Sequence, residues 1–153
     1  MKNNMTVAAP TFKKLLYVFV LPILVFAAIT GVLGLYFVQV AELPLWQEMP
    51  LGLAGQQEEF CERNLMDQNI RQRANTWSNL SYLFFGLVCM GFAAYDRFER
   101  PTPPANFIIR FPILSLVTAA AFFYLFIGSF FYHASLTRYW QVFDLSGVYA
   151  LAM

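Results

Sequence analysis

Charge is absent from long stretches of this chain and gathered in the segments between them. No charged residue occurs from Leu15 to Ala41, and none from Ala74 to Tyr95. A third apolar run extends from Asn106 to Thr137, with Arg110 near its start. Each run reaches the roughly 20 residues a helix needs to cross a bilayer, so three transmembrane helices are predicted. Pro22, Gly31 and Gly34 fall in the first run and are tolerated in such helices. Tyr139-Trp-Gln-Val-Phe143 reads as an interfacial aromatic stretch. Asp144 then opens a fourth apolar segment, which stops at Met153 and is too short to span.

The polar segments divide the chain. Residues 1–14 form a basic leader with Lys2, Lys13 and Lys14, and residues 15–41 an N-terminal transmembrane helix. Residues 42–73 form a polar loop of mixed charge, broken in its first half by Pro44, Pro50, Gly52 and Gly55. Residues 74–153 form the remaining membrane domain, with a proline-rich turn from Asp96 to Pro104. A cleaved signal peptide is the rival reading of the first run, but its apolar core should be only about 7–15 residues. The lysines and arginines flanking the spans favour a cytoplasmic N-terminus. The 42–73 loop then lies outside, and His133 near the same outer face. A chain ending in mid-helix would leave backbone groups unsatisfied in lipid. The 153 residues are therefore expected to be the N-terminal part of a longer protein. The alternative is a short product whose last segment packs on a partner.

Composition agrees with the pattern. The chain is 59% hydrophobic and 12% charged, with a mean hydropathy of +0.53; a soluble domain is about a quarter charged. A net charge of +1 gives no argument for nucleic acid. Cys61 lies in the polar loop and Cys89 in an apolar run, so no disulfide is expected between them. One histidine and two cysteines exclude a closed structural zinc site of four Cys/His ligands from this chain alone.

Ser129, His133 and Asp144 form the first chemical cluster, spaced S-x3-H-x10-D across the end of one apolar run and the start of the next. An ionisable group at membrane depth is costly, which makes His133 a functional candidate. On a helix, Ser129 and His133 share a face. Imidazole is the commonest metal ligand, a nearby carboxylate orients ligands or accepts a proton, and a serine hydroxyl can donate to a developing oxyanion. The plainer alternative stays open: Ser129 bonding a helix carbonyl, His133 as an interfacial residue, Asp144 as an N-cap. A serine-protease arrangement is weaker, since no Gly-x-Ser-x-Gly elbow is present. The second cluster is Glu58-Glu-Phe-Cys-Glu-Arg-Asn64, then Gln72 and Asn75-Thr-Trp-Ser-Asn79. Its oxygen ligands would suit calcium, although the EF-hand order is absent. The alternative is a solvated loop, with Asn75 or Thr76 capping a helix and Ser78 and Asn79 joining helices.

Together, Phe60-Cys-Glu-Arg-Asn64, Asn75-Thr-Trp-Ser-Asn79 and Ser129-x3-His133 with Asp144 resemble the alkaline ceramidase family of membrane hydrolases, over roughly residues 59–150. The resemblance implies an all-α bundle: three complete transmembrane helices and the start of a fourth, part of a seven-helix core preceded by one extra helix. It implies a zinc-dependent amidase acting on ceramide or a related N-acyl lipid. His133 would be one of three zinc ligands, Ser129 would polarise the amide oxygen, and Asp144 would activate the attacking water. The family's other two histidines lie on an H-x3-H element, which these 153 residues lack, so the chain by itself is expected to be inactive. A calcium site is also implied, at Glu59, Phe60, Glu62, Asn64 and Gln72, with Phe60 in place of a usual tryptophan and Gln72 in place of a usual glutamate. Two other functions compete: a receptor-like or scaffolding protein without turnover, and a small helical subunit without metal. The expected surroundings are the lipid bilayer of a bacterial inner membrane.

Overall fold

The computed structural model describes residues 12–57, 61–99 and 110–152. Five helices carry them: α1 (Phe12–Gln39), α2 (Leu53–Gln56), α3 (Arg73–Phe98), α4 (Pro112–Ser135) and α5 (Arg138–Ala152). Among the described residues the only extended pairing is one antiparallel bridge, Leu51 with Thr137. Helices α1, α3 and α4 are long and apolar enough to cross a membrane. The chain thus has the helices of a membrane protein. The basic leader lies outside the described residues, apart from Lys13 and Lys14 in the first turn of α1.

Local chemistry explains two irregularities. Pro22 has no N–H to give to Val18, and its ring crowds that carbonyl. The turn before it, Leu16–Val20, widens to a π-turn that closes with Leu21 N–H on Leu16 O. This widened turn meets α3 at Gly91, where a Cβ would collide with the Tyr17 carbonyl. Helix α3 is interrupted at Asn79, between Arg73–Ser78 and Leu80–Phe98. There the Ser78 hydroxyl and the Asn79 amide both donate to Asn75 O, each at 2.9 Å. Such back-bonding competes with the helix ladder and bends it. Ser78 and Asn79 therefore bond their own helix rather than joining it to another, which corrects the sequence expectation.

Helix α4 is the centre of the bundle, packed between α3 and α5, while α1 lies against α3. Leu80, Leu83 and Leu87 of α3 meet Phe126, Phe130 and Ala134 of α4, and Phe37 of α1 closes the cluster. The Trp77 ring stands edge-on to Phe130, with centroids 5.7 Å apart. The far side of α1 is bare: Val32, Leu35 and Val38 are 67%, 66% and 75% exposed. An apolar face of this kind suits lipid.

Helix α5 starts six residues earlier than the sequence suggests. Leu136 ends α4 in the left-handed region, at φ 50° and ψ 32°. The chain turns there, Arg138 N–H bonds Pro50 O at 2.8 Å, and the next helix begins at once. Tyr139–Phe143 is thus helical, and Asp144 sits in the second turn of α5 rather than at its N-cap.

Candidate functional site

Residues 71 and 72 run beside the last turn of α4. Arg71 N–H donates to Ala134 O at 3.0 Å and Gln72 N–H to His133 O at 3.1 Å. Two further loop contacts fix the same end of α4: Gly52 N–H donates to Leu136 O at 2.8 Å, and the Arg71 guanidinium donates to Ser135 O. A cation is well placed at a helix C-terminus. Burial pulls the Arg71 pKa below the ordinary guanidinium value.

This register carries the fully buried Gln72 side chain against His133. Gln72 Oε1 lies 2.7 Å from His133 Nδ1, and Asn75 Nδ2 donates to the same oxygen at 3.1 Å. Gln72 Nε2 donates to Asn64 Oδ1 at 2.7 Å, and Asn64 Nδ2 donates to Ala54 O at 2.6 Å. Glu62 sits at the start of α3, its two carboxylate oxygens accepting from Ala74 N–H at 2.7 Å and Asn75 N–H at 2.9 Å. That is a capping arrangement supplied from twelve and thirteen residues upstream, with a negative charge at a helix N-terminus. The cap of α3 is therefore Glu62, in place of the expected Asn75 or Thr76.

Ser129 is buried one turn before His133 on α4. Asp144 is half-buried on α5. Gly128 makes their approach close: a Cβ there would lie 2.7 Å from Phe143 C and 2.8 Å from Asp144 N. Small residues at such crossings let helix backbones touch. Asp144 and Glu62 are among the charges that act electrostatically on His133. The two clusters separated by about half the chain thus meet: Ser129, His133 and Asp144 on one side, Glu62, Asn64 and Gln72 on the other. Glu59 and Phe60 lie outside the described residues.

Sequence reasoning missed the strap at residues 50–56. Ala54 N–H reaches the Tyr132 hydroxyl at 3.4 Å, and Leu53 N–H reaches Gln141 Oε1 at 3.1 Å. Gly52 and Gly55 were the available signal. A Cβ on Gly55 would lie 2.9 Å from Leu136 O, and one on Gly52 2.8 Å from Gln141 Oε1. Glycine lets the strap lie flat on the α4–α5 turn.

The chain matches no protein-family model, no curated protein and no solved structure.

His133 fits as a single zinc ligand, because histidine ligands generally hold their second ring nitrogen in a hydrogen bond to an oxygen. Among the described residues, no group of three or more His, Cys, Asp and Glu stands close enough to hold a metal. Gln72 does not fit calcium as it is arranged. An amide oxygen has two lone pairs; here Asn75 Nδ2 donates to it and His133 Nδ1 stands 2.7 Å away, which leaves no open side for a cation.

Proposed function

We propose that Ser129, His133 and Asp144 belong to a zinc-dependent amidase site acting on ceramide or a related N-acyl lipid. The observation that carries this reading is the contact of His133 Nδ1 with the buried amide of Gln72, beside the charge of Asp144. When bound, zinc supplies polarisation of the amide carbonyl and a water acidic enough to attack near neutral pH. The Ser129 hydroxyl donates to the carbonyl oxygen as charge develops on it. Asp144 accepts a proton as base and returns it to the leaving amine. The site lies at the end of a membrane-length helix, where a substrate can react while its acyl chain stays in lipid. The family's zinc site takes three histidines and this chain holds one. The proposed activity therefore belongs to the protein or assembly that carries all three. The calcium implied by the resemblance stays a proposal resting on Glu62 and Asn64, and no step runs through it.

The test, made on the protein or assembly that carries all three histidines, is release of fatty acid from an N-acyl sphingoid base, with zinc content measured on the same preparation. Asp144→Asn and His133→Ala should each abolish cleavage, and His133→Ala should also lower bound zinc. Undiminished turnover in either variant would remove these residues from the site. A receptor-like or scaffolding protein is the second reading, favoured by the lack of a three-ligand group among the described residues. It predicts zinc-free protein and no fatty acid released.

A further inference from the structure

We infer that Gln72 and Asn64 are positioning residues that hold His133 in its Nδ1–H form, with the direction of the whole hydrogen-bond chain set by the backbone carbonyl of Ala54. A backbone carbonyl can only accept. Asn64 therefore turns its NH2 group toward Ala54 O, 2.6 Å away, and is left to present Oδ1 on its other side. Gln72 must meet that oxygen with its own NH2 group, which it does at 2.7 Å. Its oxygen then faces His133, 2.7 Å from Nδ1. Asn75 Nδ2 donates to the same Gln72 oxygen and fixes the orientation a second time. An amide oxygen opposite a ring nitrogen requires a proton on that nitrogen. Neutral His133 thus carries its proton on Nδ1, and Nε2 carries the lone pair.

Burial gives this chain its force. Gln72 is fully buried and His133 is 9% exposed, so the opposite tautomer would set two acceptors against each other with little water to separate them. A buried polar group left without a partner is costly. Three segments far apart in sequence (the strap, the loop before α3, and α4) converge on one proton. Nε2 as the atom that meets an electrophile or a metal rests on the amidase reading; the tautomer does not.

The chain holds one histidine, so a histidine-selective 15N label reports His133 alone. The spectrum is recorded in detergent micelles at about pH 8.5, some two units above the ordinary imidazole pKa. The expected result is a protonated Nδ1 and an unprotonated Nε2. A protonated Nε2 in the wild-type chain would overturn the assignment. Gln72→Glu keeps an acceptor beside Nδ1 and should preserve the pattern. Gln72→Leu removes it and should mix the tautomers or reverse them; an unchanged pattern in a folded Gln72→Leu chain would also overturn the assignment. Should that variant not fold, the wild-type and Gln72→Glu spectra decide alone. Added Zn2+ should then shift the Nε2 signal while the Nδ1 proton remains. An unmoved Nε2 beside a protonated Nδ1 would count against the amidase reading and leave the positioning role standing.

Discussion

Gly128 of α4 and Asp144 of α5 meet with only a glycine hydrogen between their backbones; a Cβ at position 128 would lie 2.8 Å from the Asp144 nitrogen. The three atoms nearest that Cβ are all backbone atoms of Phe143 and Asp144, so no side-chain rotation relieves the clash. Gly128→Val should therefore push α5 outward and carry Asp144 away from His133. Overpacking of this kind costs about 1–3 kcal/mol. A lower midpoint of thermal unfolding in detergent checks it. Gly147→Ala probes the same interface at Leu125, where the closest approach is 2.9 Å to Leu125 Cα, and it should act in the same direction.

Leu136 poses a contest between strain and burial. A left-handed conformation costs a non-glycine residue roughly 1–2 kcal/mol, which Leu136→Gly would recover. The same side chain is 0% exposed and packs with Ala54, Tyr132 and Trp140. Removing a buried leucine costs about 2–5 kcal/mol. Burial wins, and Leu136→Gly should destabilise the protein. A raised unfolding midpoint would show that the strain is the larger quantity.

The three membrane-length helices were legible because charge-free runs of that length have few other uses. Their ends were less so. As the first charge before an apolar segment, Asp144 looks like the start of a helix, yet α5 begins at Arg138. The cause is the turn at Leu136, whose left-handed φ no glycine or asparagine announces. Ser129 and His133 could be placed on one face by their spacing. The contact of His133 with Gln72 could not, since it depends on the register of residues 71–72 against α4, set by backbone bonds that carry no side-chain signature. That the polar loop and His133 lie at one end of the bundle was anticipated from the alternation of spans.

Glu62 caps α3 across a gap in sequence, so its removal should be felt at the first turn. Glu62→Ala leaves the Ala74 and Asn75 N–H groups without this acceptor and should cost on the order of 1 kcal/mol, the usual scale of a lost cap. Glu62→Gln keeps an oxygen for one of the two N–H groups and should cost less. Unfolding midpoints of the two variants, compared side by side, give the order.

Asn69 holds the other end of the loop. Its amide donates to Val40 O and to Leu43 O, the latter at 2.7 Å, while the Trp46 indole donates to Asn69 O at 2.9 Å. The Val40 carbonyl belongs to the frayed end of α1, where helix carbonyls lack intrahelical donors. Asn69→Asp keeps the size and replaces the donor with oxygens that face carbonyls, so it should destabilise more than Asn69→Ala. Equal losses would show that the NH2 group contributes only its volume.

Four of the bonds that join the polar loop to the α4–α5 turn use backbone amide protons: those of Gly52, Arg71, Gln72 and Arg138. In deuterated solvent a polar loop between membrane helices normally exchanges within moments. These four positions should instead trade their protons as slowly as the helix they hold. The segment outside the apolar spans and the buried turn around His133 then open together, as one cooperative unit rather than as a lid on a separate floor.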